Sequence, residues 1–254
     1  MGEINRENKI VKLYPITKFY LAMAIAIITV IQGDIISRVV IFALLNVLAA
    51  ASGVYKIFLK RVKNSVGLLF LILLIVQTLF SPGEEILFSF WIFSGKMEGL
   101  VTALKLGMTL VNVGGSLIWF FAVTKEKDFV LALEKRGMSS KASYIVLSTL
   151  QMVPVLKKRS ETIMNAQKAR GVETEGNIFV RAKVFVPTLV PLVLSSIQGI
   201  EERALTLEAR GFSVETPSTH LYDIYERPVD KTVRVIIAAG FVAAVAGRIA
   251  LWLI

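Results

Sequence analysis

Apolar and polar positions fall in long blocks along this chain. Phe19 to Gln32 is an apolar run of 14 residues that stops at Gly33-Asp34. Ile35 to Leu59 is a second run, with Arg38 near one end and Lys56 near the other. Val66 to Phe80 is a third, Gly99 to Val123 a fourth holding Lys105, and Val233 to Ile254 a last one with Arg248 near its outer end. Such runs approach the roughly 20 residues needed to span a bilayer as helix. The short alternating segments of a membrane β-barrel are absent. The pattern predicts an all-α, polytopic helical membrane protein with about five spans.

The stretch from Thr124 to Asp230 mixes polar and apolar sequence. Within it Ala142 to Leu156 is mostly apolar and turns polar at Lys157-Lys158-Arg159. Val184 to Ile200 is also apolar, contains Pro187 and Pro191, and turns polar at Glu201-Glu202-Arg203. The simpler expectation is two long helices, each starting at the membrane base and leaving it as an amphipathic arm. Two extra spans are the alternative, and an even number would leave both chain ends where they are. Three parts follow: residues 1–124 with four spans, 125–230 as a region of helical arms, and 231–254 as a C-terminal span.

Charge orients the blocks. Lys60, Arg61 and Lys63 are expected in a turn after the second span, whereas Glu84 and Glu85 follow the third. By the positive-inside rule the first turn is cytoplasmic and the second outside. The N-terminus, with Lys9, Lys12 and Lys18, is then inside, the Thr124 to Asp230 region inside, and the C-terminus outside. No cleavable signal peptide is expected from Met1 to Asn8.

Composition agrees with this class. Of 254 residues 55% are hydrophobic, and the net charge is +10. In a membrane protein that charge points to cytoplasmic loops and anionic headgroups. Nucleic acid is a poor partner, because the basic residues are interleaved with acids. Absence of cysteine excludes disulfides, thiolate metal sites and a Cys nucleophile. His220 is the one histidine and lies in a polar stretch, which suits a surface residue better than a metal ligand. Trp91, Trp119 and Trp252 fall near the expected interfaces, as in an aromatic belt.

The tripeptide Ala-Arg-Gly occurs twice, as Ala169-Arg170-Gly171 and Ala209-Arg210-Gly211, at an offset of 40. At that offset Glu161 also matches Glu201. Glycine after the last helical turn suits a left-handed C-terminal cap, and a cation there favours the negative end of the helix dipole. One such Arg-Gly is a helix stop. Two of them, each ending an amphipathic arm, point to two matching handles, because arginine's planar fork grips carboxylates and carbonyls.

These residues resemble the transmembrane (T) component of energy-coupling factor transporters, the EcfT/CbiQ family of ATP-driven importers of vitamins and of cobalt or nickel. The stretch Gln151 to Gly171 resembles the first signature arm. Ala204 to Phe212 resembles the second, with Leu207 where methionine is common. Leu13-Tyr14-Pro15-Ile16-Thr17-Lys18 resembles the family's Pro-x-Thr-Lys element, with Tyr14 and Ile16 in place of the frequent Asp and Arg. The resemblance implies a non-catalytic subunit joining two ABC-type ATPases to a small substrate-binding membrane protein, and it makes polar Lys125 to Met138 a third, shorter cytoplasmic helix. Ala169, Arg170, Gly171, Ala209, Arg210 and Gly211 would dock the ATPases. No cofactor is expected on this chain; ATP and Mg would be handled by the partners. The chain has no G-x-x-x-x-G-K phosphate loop of its own. The expected place is the prokaryotic cytoplasmic membrane, with vitamins as cargo or, alternatively, cobalt or nickel.

Other candidates keep two readings each. Gly99, Ala103, Gly107 and Gly115 share one face of the fourth run, broken by Val111. Small residues so spaced permit close helix approach in lipid, either within this chain or to the substrate-binding partner. Ala49-Ala50-Ala51-Ser52-Gly53 invites the same pair. Lys105 and Arg38 either snorkel to an interface or serve a function. A stand-alone secondary transporter would need a polar midplane site, for which only Asn46, Gln77 and Asn112 join Lys105. A lipid-acting enzyme would need clustered acids or histidines, and no metal-ligand spacing occurs.

Overall fold

The computed structural model describes residues 10–81, 86–90, 93–172, 177–214 and 222–253. Glu84, Glu85, Trp91 and His220 lie outside them. Nine α-helices are described: α1 (Pro15–Ile31), α2 (Ile35–Ala51), α3 (Tyr55–Val62), α4 (Leu68–Phe80), α5 (Met97–Val123), α6 (Glu126–Glu134), α7 (Ser140–Ala169), α8 (Ile178–Ala209) and α9 (Pro228–Leu253). A π-helical turn, Lys63–Gly67, joins α3 to α4 without a break. One antiparallel hairpin, β1 (Ile86–Phe90) with β2 (Phe93–Lys96), precedes α5 and leaves the helical class unchanged.

Among the described residues, three stretches are long and apolar enough to cross a membrane: Tyr55–Phe80, Met97–Val123 and Pro228–Ala250. The apolar helices α1 and α2 have 17 residues each, a rise of about 26 Å against a hydrocarbon core of about 30 Å. Together they make five. α7, of 30 residues, and α8, of 32, are each one continuous helix, and they fill most of the mixed region.

One expected boundary moves. The second run does not continue to Leu59; α2 stops at Ala51, and a new helix starts at Tyr55. Gly53, at φ 71, is the reason. Its N–H donates to Ala50 O and that of Val54 to Ala49 O, the paired closing bonds of a Schellman cap. The run of small residues thus includes a helix stop that the apolar pattern hides. Lys60, Arg61 and Lys63 consequently lie within a helix and not in a turn, with exposed side chains.

The chain divides into two compact units, Met1–Arg136 with Ile224–Ile254, and Gly137–Asp223. In the first, α5 is the central helix and packs against α1, α2, α3 and α4. Trp119, Phe58 and Leu45 are fully enclosed there, with Ala22, Ala49 and Phe120 around them. Trp119 therefore belongs to the core and not to a lipid-facing belt. Its indole N–H donates to Ser52 Oγ at 3.1 Å, and Ser52 donates onward to Leu48 O at 2.7 Å, so the ring's polar end is satisfied inside the protein.

The small-residue face of α5 meets other helices of the same chain. A Cβ on Gly99 would stand 2.5 Å from Gln77 O, and one on Gly107 would stand 2.4 Å from the Phe70 ring. Ala103 is buried between them, so α4 lies close along this face. Gly115 faces Leu45 of α2 and Phe58 of α3.

At the starts of α1 and α9 lies a buried polar cluster. Both helices open with proline at the first position, Pro15 and Pro228, where the missing N–H is harmless. Asp230 is fully buried. One carboxylate oxygen accepts from Arg227 N at 2.9 Å and the other from Tyr14 N at 2.8 Å. A single carboxylate thus caps two helix N-termini, whose dipoles both favour a negative charge. The opposite charge sits at the end of α5, where Lys18 Nζ donates to Val123 O at 3.4 Å and to Val11 O at 2.8 Å. Around the rim, Arg234 donates to Thr17 Oγ1 at 3.1 Å and pairs with Glu226, which also pairs with Arg136 at 3.5 Å. Burial pushes the Glu226 carboxyl up, but hydrogen bonds and positive charge from Arg234 and Arg136 more than reverse this and hold it below its ordinary value.

Candidate functional site

The second unit is built from α7 and α8. Ser139 opens α7 by accepting from Ala142 N at 3.3 Å, a regular N-cap. The two helices run antiparallel. Arg159 Nη1 donates to Ser195 O at 2.9 Å, and further back on α7 the Tyr144 ring meets Phe212, beyond the end of α8, at 5.0 Å between centroids. Positions along one helix fall as those along the other rise. The Arg159 guanidinium also covers Gly199, where a Cβ would stand 3.4 Å away.

Both arms end in the same way. Gly171 has φ 82 and Gly211 φ 74. In the first arm Val172 N donates to Gln167 O at 3.1 Å and Gly171 N to Lys168 O at 3.0 Å. In the second, Phe212 N donates to Leu207 O at 3.0 Å and Gly211 N to Glu208 O at 2.9 Å. These are two Schellman motifs with the same register. Each puts its arginine in the capping position and its alanine in the last helical position. Ala169, Arg170, Ala209 and Arg210 are exposed, as is Gly171, while Gly211 is half-buried. Among the described residues neither Arg170 nor Arg210 is ion-paired.

The contact between arms lies at equivalent places in the repeat. Arg159 and Gly199 are separated by the same 40 positions as the two motifs, and each precedes its motif arginine by 11 residues. Eleven residues rise about 16 Å. Because the helices are antiparallel, Arg170 and Arg210 lie in opposite directions from that contact, on the order of 30 Å apart along the pair. The unit therefore presents two identical cationic helix ends on one braced frame. Pro154 in α7 and Pro187 and Pro191 in α8 lie inside these helices, where each removes a backbone donor. No group of three or more acids and histidines that could hold a metal occurs among the described residues.

The sequence profile of the CbiQ family, cobalt transport protein, matches residues 6–221. The chain belongs to this family. It is similar to the energy-coupling factor transporter transmembrane protein EcfT of Streptococcus equi subsp. equi (strain 4047), with 32% identity over 229 residues, 84% of this chain and 82% of that protein. The protein of the same name from Lactococcus lactis subsp. cremoris (strain MG1363) is 28% identical over 212 residues, 79% of each chain. That from Acidaminococcus fermentans (strain ATCC 25085) is 25% identical over 240 residues, 91% of this chain and 89% of that one. Membership makes this chain an energy-coupling transmembrane component of an energy-coupling factor transporter, and a membrane protein.

Asp230 escapes a reading based on apolar runs, which starts the last span at Val233. A signal for it is present in Arg227-Pro228-Val229-Asp230: proline at the first helical position and an acid two residues on mark a helix start.

Proposed function

We propose that this chain transmits ATP-driven motion from two ABC-type ATPases to a small substrate-binding membrane subunit, in a prokaryotic cytoplasmic membrane. The observation that carries this reading is the pair of matching Ala-Arg-Gly caps, with exposed arginines, at equal distances from the contact between α7 and α8. Two equal handles suit two equal sockets. Arg170 and Arg210 would each reach carboxylates or carbonyls in one ATPase, with a left-handed glycine behind holding the guanidinium beyond the helix end. A frame tied by Arg159 would convert a change in the distance between sockets into movement of both arms. ATP and Mg would be bound and hydrolysed by the partners.

The arms also carry broad apolar faces. Ile145, Leu150 and Val153 on α7, and Val190, Leu194 and Ile197 on α8, are exposed. Exposed apolar surface on this scale marks contact with another protein or with lipid, which supports a seat for the substrate-binding subunit. Vitamins are the proposed cargo. A dedicated cobalt or nickel importer is the second reading, favoured by the family's description as cobalt transport proteins. Copurification separates the two: several different small membrane partners mean a shared module, one constant partner a dedicated one.

The direct test is Arg170→Glu with Arg210→Glu in the tagged chain. Copurified ATPase should fall on the order of 100-fold or more, as expected when two buried charge pairs are reversed. The thermal midpoint of the chain itself should not move, since both side chains are exposed. ATPase recovery equal to the unsubstituted chain would remove the role given to the arginines.

A further inference from the structure

The first unit has a groove that the coupling role does not use. α1 and α9 lie side by side and parallel: the start of α1 meets Asp230, Thr17 meets Arg234, and Gly33 lies under the Arg248 guanidinium. Between them runs an apolar groove of about 390 Å³. Met23, Ala24 and Ile27 form one wall, and Ile237, Ala238 and Phe241 the other. Tyr20 and Arg234 line the end nearest the helix starts. From Tyr20 to Ile27, and from Arg234 to Phe241, each helix rises about 10 Å. That is most of the roughly 15 Å hydrocarbon depth of one leaflet, half of a core about 30 Å thick.

The mouth is polar and cationic. Arg136 donates to Tyr20 OH at 3.1 Å and pairs with Glu226, as does Arg234. Two guanidinium groups thus face one carboxylate. Asp230 does not offset them at the surface, because it is buried with both oxygens on backbone N–H groups. Unbalanced positive charge over an apolar slot matches a phosphate with an acyl chain beneath it.

We propose that this groove holds one anionic phospholipid of the surrounding bilayer, an acyl chain between α1 and α9 and its phosphate against Arg136 and Arg234. The proposal rests on α1 and α9 lying in the membrane and is independent of ATPase docking. It is tested with the full chain and its accompanying subunits in nanodiscs, using phosphatidylglycerol and phosphatidylcholine that carry a diazirine at mid-chain. After illumination, adducts are mapped by mass spectrometry. Phosphatidylglycerol should label α1 and α9 around Ile27 and Phe241, about fivefold more than phosphatidylcholine. Ala238→Trp, on an exposed position, should fill the slot and remove most of the label without lowering the thermal midpoint. Arg136→Gln should reduce it about fivefold, the loss expected for one basic residue at the surface, and Arg136→Lys should retain it. Equal labelling by the two lipids overturns the proposal. So does labelling indifferent to Ala238→Trp, or crosslinking of the groove to another subunit in place of lipid.

Discussion

The two regions that hold most of the distinctive charge use it in opposite ways. At the starts of α1 and α9, Asp230 and Lys18 are buried, and each side chain ends on backbone groups of this chain. At the ends of α7 and α8, Arg170 and Arg210 are exposed beyond helices whose own carbonyls the glycine caps already satisfy. Charge that completes its bonding internally holds a fold together. Charge left outside a cap that is complete without it is available to another molecule. The difference separates residues whose loss should unfold the protein from residues whose loss should only disconnect it.

The sharpest test of that contrast is Asp230→Ala. The buried N–H of Tyr14 and the partly buried one of Arg227 lose their acceptor, at about 1–3 kcal/mol for a buried group, so thermal unfolding in detergent should show a loss of about 2–4 kcal/mol. Asp230→Asn should recover part of it, since an amide oxygen still accepts. A variant that folds normally yet fails to bind partners would place Asp230 with the arms and break the comparison.

Next comes the α4–α5 face. Gly99→Ala should lower stability by about 1–3 kcal/mol through overpacking, because the atom met is a backbone oxygen that cannot turn away. Gly107→Ala should cost less, since the Phe70 ring can rotate. If both were neutral, and only the substrate-binding partner were lost, the face would serve a partner and not the internal packing seen here.

A smaller effect is expected at the arm ends. Gly171→Ala and Gly211→Ala force a Cβ into the left-handed region at about 1 kcal/mol each, fraying the last turn while leaving both arginines present. ATPase recovery should fall by about fivefold, well short of the charge reversal, with little change in global unfolding. Loss as large as that of the double glutamate variant would mean that cap geometry, more than charge, makes the contact.

The smallest effect concerns pH. Glu226 titrates below its ordinary value in the folded protein, so the unfolded state binds its proton more readily. Its contribution is present above the unfolded value of about 4.3 and is lost as pH falls through the lower folded value. Glu226→Gln should flatten stability against pH in that acidic window only. An unaltered acid limb would show that the rim pairs with Arg136 and Arg234 add nothing measurable, as is common for partly exposed pairs.

Much of this was legible in the chain itself. Uninterrupted apolar runs determine a helical membrane protein, because lipid offers backbone groups no other partner and a helix satisfies them locally. The repeated Ala-Arg-Gly was readable as two helix ends, since a Schellman cap is a local device that needs only glycine in the right place. What apolar pattern could not place was the stop at Gly53 inside a continuous apolar run, nor Trp119 in the core, because an apolar segment looks the same whether it faces lipid or protein. Tertiary structure alone decided which helices share Asp230, which positions 216 apart in sequence are brought into contact, and that Arg159 meets Ser195 and Gly199 so that the two handles diverge from one point. Those facts depend on distances between helices, and the period of a single helix carries no record of its neighbour.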